Sequence, residues 1–177
     1  NLKLTFACNP YDRIQPLRDK RVRAEGIDLE VVSDLPPREL FDRFMQSDDF
    51  DLAEFSSSEH IAMTCAGEKK LVAIPVFPSK VFRHSFITIN KNKGIKSPKD
   101  LEGRRIGVPL YTMSAALWCR GPLEDDYGVD LSGVTWVQGA VEKPGPHGNP
   151  LPPPLLKPVK IEQNTTPYSL GQLLARG

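Results

Sequence analysis

The chain has 177 residues, of which 40% are hydrophobic and 25% are charged, a balance typical of one globular domain or two small lobes. The formal net charge is only +1 and the basic residues are scattered, so no nucleic-acid partner is expected. No apolar run approaches the roughly 20 residues of a membrane-spanning helix, so no membrane partner is expected either.

The first ninety residues alternate predicted strands and helices. Strands are predicted at residues 2–8, 26–32, 50–55, 71–77 and 84–90. Helices are predicted at residues 36–47 and 57–68. This alternation is typical of a sheet with helices on both faces, and we expect residues 1–90 to form the N-terminal part of a first lobe.

The remaining residues continue the pattern. A short capped helix, a glycine turn and a strand are predicted over 97–109, followed by a helix at 112–128. Strands at 134–140 and 159–164 flank a Pro- and Gly-rich loop at 142–158, and a helix closes the chain at 166–177. We expect residues 91–177 to form part of a second lobe.

A weak repeat links two segments. Residues 35–55 read as a helix of Leu and Phe, a polar turn and a strand, and residues 165–177 repeat only the first half of that pattern. The repeat would need a further strand, so we expect the chain to be a fragment that lacks the C-terminal part of a longer protein.

Polar residues follow the predicted strands at three places. In open α/β sheets, ligands bind beyond the carboxyl ends of strands. Hydroxyls at a helix start can hold an anionic group or can cap the helix, and both interpretations stay open. The candidate ligand-binding residues are Tyr11, Arg13, Ser56, Ser58, Tyr111, Thr112 and Ser114.

Arg13, Arg83 and His84 carry the remaining candidate chemistry. Each guanidinium could clamp a carboxylate with two hydrogen bonds or form an ordinary salt bridge, for which Asp12 is the local partner of Arg13. His84 could be structural or an acid/base group. Metal ligation is disfavoured because His60 and His147 lie in unrelated contexts, so no metal site is predicted.

Three cysteines and two tryptophans complete the list of distinctive residues. Cys8, Cys65 and Cys119 lack metal or redox spacing and are expected to be buried thiols, which favours a cytoplasmic location. A periplasmic or extracellular location stays open if a leader was removed. Trp118 and Trp136 are expected to be packing residues.

Four segments resemble the 4,5-dihydroxyphthalate decarboxylase family, within the superfamily of type 2 periplasmic-binding-protein folds. They are FACNPYDRIQPLRD, VAIPVFPSKVFRHSFITIN, SPKDLEGRRIGVP and TMSAALWCRGPLEDDYGV. The resemblance implies a two-lobed α/β protein whose cleft closes on an aromatic acid. Leu110 and Thr112 depart from the family pattern, where an acidic residue and a Gln are expected, so the exact substrate stays open.

The activity that the resemblance implies is cofactor-independent decarboxylation of a dihydroxylated aromatic dicarboxylate. His84 would donate the proton to the ring, with Arg83 beside it, and Arg13 would hold the second carboxylate. No organic cofactor is expected, because the ring itself accepts the electrons, whereas a divalent metal on the two ring hydroxyls stays open.

Two other functions also stay open. The first is a non-catalytic solute-binding protein for an aromatic or small carboxylate in transport or sensing, since one fold serves both uses. The second is a related enzyme acting on a pyrimidine or quinone precursor. The sequence does not decide whether the protein forms an oligomer.

Overall fold

The computed structural model describes residues 1–150 and 155–177, which divide into two compact units. The first unit consists of Asn1–Ser56, Lys69–Val81 and the described part of 148–151. The second consists of Ser57–Glu68, Phe82–His147 and the described part of 152–177. Residues 57–68 and 82–90 thus group with the second unit, and the division into lobes at residue 90 stays a prediction.

The first unit contains a parallel sheet with the strand order β2–β1–β3. Strand β1 spans Leu2–Ala7 and pairs along its whole length with β2, Ile27–Val32. Strand β3 is only Leu52–Ala53, shorter than the predicted 50–55. The backbone amide of Thr5 in β1 donates a hydrogen bond to the Asp51 carboxylate at 2.8 Å. This amide is therefore paired with a side chain and not with the backbone of a longer β3.

Two helices accompany this sheet. A 3-10 turn at Asp12–Ile14 leads into the short helix α1, Gln15–Arg18. Helix α2 spans Pro37–Gln46, close to the predicted 36–47, and begins at a proline, which needs no amide partner in the first turn. Its Leu40 is buried with Ala7 and Phe50 in the core of this unit.

The second unit contains another parallel sheet, ordered β4–β5–β6. Its strands are β4 Arg105–Val108, β5 Thr135–Gln138 and β6 Ile161–Gln163. Its α-helices are α3 Ser57–Cys65, α4 Ser114–Asp125 and α5 Leu170–Arg176. The predicted capped turn is confirmed: a 3-10 turn at Pro98–Leu101 has a capping box formed by Ser97 and Asp100. With two parallel sheets and interspersed helices, the predicted α/β class is confirmed.

The strands predicted at 71–77 and 84–90 are wrong. Residues 71–77 form no regular element, and the second segment contains a single 3-10 turn at His84–Phe86. A strand needs a neighbour to pair its backbone, and no strand within residues 1–150 and 155–177 pairs with either segment. Apolar side chains consequently stay exposed here, and Val72 is 89% exposed.

Two expectations about buried residues also need correction. Cys8 is buried and Cys119 is partly buried, but Cys65 is exposed because it is the last residue of α3. Trp136 is buried in the second core, whereas Trp118 is 60% exposed. The inward face of α4 is formed by Ala116, Arg120 and Leu123, and Trp118 lies between them in sequence, so it projects from another face.

Candidate functional site

Three predicted site residues follow the strands of the first sheet at its carboxyl edge. Strands β1 and β3 are parallel and end at Ala7 and Ala53, so the residues that follow them emerge at the same edge. Tyr11 and Arg13 follow β1, and Ser56, which is buried, follows β3. The expectation that strand exits bring polar residues together is met here for Tyr11 and Arg13.

Glu54 joins this group, and the sequence analysis missed it. Its Oε1 accepts a hydrogen bond from the Tyr11 hydroxyl at 2.7 Å. Its Oε2 accepts from the side-chain amide of Asn9 at 2.9 Å, from the Asn9 backbone at 3.2 Å and from the Cys8 thiol at 3.7 Å. Glu54 therefore holds the turn that follows β1. The predicted strand 50–55 included Glu54, so only the observed end of β3 at Ala53 shows it to be a strand-exit residue.

The Glu54 group contains two side chains with raised pKa values. The pKa of the Cys8 thiol is raised to about 12, chiefly by burial and also by the Glu54 carboxylate, which is a nearby charge and hydrogen-bond acceptor. Burial is also the largest cause that raises the pKa of Tyr11 to about 12; Glu54 adds to it and a hydrogen bond from Ser79 opposes it. Both groups are protonated at neutral pH, so Tyr11 is a hydrogen-bond donor and Cys8 is no nucleophile.

Arg13 lies on the Tyr11 ring, with 5.1 Å between its Cζ and the ring centroid. Its Nη1 donates to the Pro78 carbonyl, and its Nη2 lies 3.7 Å from Asp12 Oδ1. The predicted contact with Asp12 is confirmed. The Arg13 side chain is 47% exposed, so an incoming carboxylate can reach the guanidinium, where it would compete with Asp12 and the Pro78 carbonyl for N–H donors.

The second unit brings Ser58, Thr112 and Ser114 together at the starts of α3 and α4. The Ser58 hydroxyl donates to the Thr112 carbonyl at 2.6 Å, and the Ser58 and Ser114 hydroxyls lie 3.2 Å apart. Ser114 Oγ also accepts from the Ser58 amide at 3.1 Å. An amide in the first turn of a helix has no partner within that helix, so Ser114 of α4 caps α3. Ser114 thus caps the neighbouring helix, whereas α4 itself has no side-chain cap, so the expected capping of α4 by its own hydroxyls is wrong. Ligand contact by these residues stays a prediction.

Tyr111 occupies a packed position beside the second core. Its amide donates to Gln138 Oε1 at 2.6 Å, and its carbonyl accepts from Arg120 Nη1 at 2.7 Å. The Arg120 guanidinium lies 3.8 Å from the Tyr111 ring centroid, and the ring meets Trp136 edge to face at 5.4 Å. The buried Arg120 thus fixes the loop before α4, a role that the sequence analysis did not foresee.

Arg83 and His84 are adjacent, but their side chains have different partners. His84 Nε2 lies 3.5 Å from Asp126 Oδ2, just after the end of α4, and its side chain is half exposed. The Arg83 guanidinium lies 4.6 Å from the centroid of the Phe86 ring, and the Arg83 carbonyl accepts from the Cys119 thiol at 3.7 Å. The predicted proton donor and its neighbour therefore do not point at one common group.

His84 lies near the end of α4, whereas the cluster of Ser58, Thr112 and Ser114 lies at its start. Asp126 is twelve residues beyond Ser114, which corresponds to about 18 Å along a helix. Within the second unit, the structure therefore brings Ser58, Thr112 and Ser114 together and places His84 apart from them.

A cavity of about 240 Å³ lies beside His84. It is bounded by Ile87, Ile95, Leu101, Leu123 and other mainly apolar residues, with Lys96 as its cation. A cavity with apolar walls and few polar groups suits a small organic molecule such as a single aromatic ring. His84 thus adjoins a mainly apolar cavity while its own side chain stays half exposed.

Neither a metal centre nor a membrane span is found in the part of the chain that the structure describes. No three His, Cys, Asp or Glu residues among residues 1–150 and 155–177 are placed to hold a metal ion. No helix in these residues has the length and apolar character that crossing a bilayer requires.

Comparisons with known proteins give a consistent result. The family model described as NMT1/THI5 like matches residues 23–142. A 4,5-dihydroxyphthalate decarboxylase of Comamonas testosteroni is 43% identical over 144 residues, covering 81% of this chain and 43% of the relative. A 4,5-dihydroxyphthalate decarboxylase of Pseudomonas putida is 43% identical over 145 residues, covering 81% of this chain and 55% of the relative.

These matches confirm the resemblance inferred from the four sequence segments. The chain spans about half the length of the curated relatives it matches. The family model covers well over half of the chain, and the α/β architecture with parallel sheets fits it. The chain therefore belongs to the NMT1/THI5-like family.

Proposed function

We propose that the intact protein decarboxylates a dihydroxylated aromatic dicarboxylate of the 4,5-dihydroxyphthalate type, giving the monocarboxylate and CO2. The observation that carries this proposal is the 43% identity, over 81% of the chain, to two curated decarboxylases with that name. The binding-protein-like fold supports it, because such a fold offers ligand sites at the carboxyl edges of its sheets.

The proposed reaction needs one proton and no external electrons. An acid protonates the ring carbon that bears the leaving carboxylate, helped by electron release from the para hydroxyl. The bond to the carboxylate then breaks, its electron pair returns to the ring, and CO2 leaves. An imidazolium can supply such a proton near neutral pH, and we assign this role to His84, which Asp126 orients.

Binding is assigned to the polar residues at the strand exits. Arg13 is the proposed clamp for the carboxylate that stays, because its fork is accessible and matches two oxygens. Neutral hydrogen bonds are proposed from the tyrosines and hydroxyl residues predicted to bind ligand, and Arg83 is the proposed second cation. These residues are Tyr11, Ser56, Ser58, Tyr111, Thr112 and Ser114.

Incubation of the intact protein with 4,5-dihydroxyphthalate tests the proposal directly. We expect stoichiometric release of CO2 and the dihydroxylated monocarboxylate. Phthalate is the matched control, since it keeps both carboxylates but lacks the hydroxyl that supplies electrons, and it should bind without reacting. Binding of 4,5-dihydroxyphthalate without release would contradict the enzyme and favour a solute-binding protein.

We also propose a cytoplasmic location. All three cysteines are free thiols, which a reducing compartment favours. Fractionation of cells that produce the intact protein tests this location, and recovery from the periplasmic or extracellular fraction would contradict it.

A further inference from the structure

Three side chains at the edge of the first sheet are linked in series. Glu54 Oε1 accepts the Tyr11 hydroxyl at 2.7 Å, and the Tyr11 ring lies beneath the Arg13 guanidinium at 5.1 Å. The other oxygen of Glu54 is occupied by Asn9 and Cys8, so the carboxylate has little freedom to turn. Glu54 therefore holds the Tyr11 ring together with Ser79, the second hydrogen-bond partner of Tyr11, and the ring supports one face of Arg13.

We propose that Glu54 is a positioning residue for carboxylate binding by Arg13 and that it acts through Tyr11. This inference rests on the proposed function, because it takes Arg13 as the carboxylate clamp. Glu54 itself touches no ligand in this role. It holds the ring on which the planar guanidinium rests, so that the fork is oriented before the carboxylate arrives.

The sign of the effect separates positioning from simple electrostatics. Glu54 is a negative charge near the proposed anion site, so on charge alone its removal would strengthen binding of a carboxylate. Positioning predicts the opposite, because an unsupported Arg13 loses orientation. A neutral variant that weakens carboxylate binding therefore cannot be explained by the loss of repulsion.

The substitution Glu54→Gln disturbs the link to Tyr11 selectively. Oε2 of Glu54 receives donors from Asn9 and Cys8, so a glutamine would keep its carbonyl oxygen on that side. Its amide nitrogen, a donor, would then face the Tyr11 hydroxyl, so the charge-assisted hydrogen bond from Tyr11 would be replaced by a weaker neutral bond in the opposite direction. Asp12→Asn is the matched control, since Asp12 also neighbours Arg13 but is 92% exposed and does not hold the ring.

Calorimetric titration of the intact protein with phthalate at neutral pH tests the proposal. We expect Glu54→Gln to weaken binding about tenfold, the scale of exchanging a charge-assisted hydrogen bond for a neutral one and loosening the ring that supports Arg13. Asp12→Asn should change the affinity by less than about threefold, the scale of an exposed ion pair.

A double-variant comparison then shows whether Glu54 acts through Arg13. Arg13→Lys keeps a cation, so binding stays measurable, but it lacks the planar group that rests on the ring. We expect Glu54→Gln to have less than about a threefold effect in that background. If Glu54→Gln does not fold, Glu54→Asp replaces it, because its side chain is one methylene shorter and draws the carboxylate away from the Tyr11 hydroxyl, and the same pattern is expected.

The outcomes are distinct. Two results overturn the positioning role and leave the proposed function standing. One is phthalate binding that is tighter or unchanged in Glu54→Gln. The other is an equal loss of affinity from Glu54→Gln in the unaltered protein and in the Arg13→Lys background. Absence of phthalate binding by the unaltered protein overturns aromatic-carboxylate binding as such, and the positioning role with it.

Discussion

Arg83 and His84 show at the residue scale how neighbours in sequence diverge in space. In the predicted strand, the two side chains would have pointed to opposite faces of the sheet. In the observed structure, His84 begins a 3-10 turn and Arg83 immediately precedes it, and their side chains have different partners. His84 contacts Asp126, while Arg83 rests on Phe86. Of the two, only His84 adjoins the apolar cavity, so His84 is the stronger candidate for proton transfer.

Replacing His84 tests that assignment. In His84→Gln, a side chain that cannot deliver a proton replaces the imidazole, and we expect kcat on 4,5-dihydroxyphthalate to fall by ~10²-fold or more. KM should change little, because the proton donor acts in the transition state. Asp126→Asn keeps the imidazole and should cost less than about tenfold. Full turnover by His84→Gln would remove His84 from the mechanism.

At the scale of secondary-structure elements, hydrogen bonds among Ser58, Thr112 and Ser114 join the starts of α3 and α4. Ser114 accepts the Ser58 amide, which has no acceptor within α3. Thr112 contributes only its backbone carbonyl to the hydrogen bond with Ser58. The two positions therefore differ in what their side chains do for stability, although both are candidate ligand contacts.

Ser114→Ala should destabilise the protein by about 1 kcal/mol, the usual cost of losing a helix cap. Thr112→Val is the matched control and should change the free energy of unfolding by less than about 0.5 kcal/mol, because its carbonyl is retained. Urea unfolding followed by circular dichroism measures both values. Equal losses in the two variants would contradict the capping role.

Local sequence patterns predicted the elements whose start is marked by their own residues. They failed for elements that depend on a pairing partner elsewhere in the chain. Helix α2 and the turn at Pro98–Leu101 carry their own start signals, and both were found. The segment 71–77 has a strand-like composition, but composition supplies no pairing partner. Likewise, Tyr11 and Arg13 were found at a strand exit, whereas their connection to Glu54 depends on the pairing of β1 with β3.

At the scale of the whole molecule, the buried Cys8 and the partly buried Tyr11 link stability to pH. The pKa of Cys8 rises from 9.0 to about 12 on folding, and that of Tyr11 from 10.0 to about 12. Below pH 9 the Cys8 thiol and the Tyr11 hydroxyl are protonated in both the folded and the unfolded state. Their contribution to the free energy of unfolding is therefore fully present there. Above pH 9 the unfolded state ionises first, and the contribution is lost as the pH rises towards 12.

The free energy of unfolding should therefore fall between about pH 9 and 12. Tyr11→Phe lacks one of the two protons, so its stability should fall less steeply in this range. Urea unfolding at a series of pH values measures the slopes, and between pH 7 and 8.5 the two proteins should run parallel. An equally steep fall in Tyr11→Phe would contradict the contribution of Tyr11.

The placement of the tryptophans decides what an emission spectrum can report. Trp118 and Trp136 are the two tryptophans of the chain, and both belong to the second unit. Trp136 is 3% exposed and Trp118 is 60% exposed, so an aqueous quencher should quench the emission of Trp118 and not that of Trp136. Tryptophan emission therefore originates in the second unit, whereas Glu54, Tyr11 and Arg13 belong to a unit without a tryptophan.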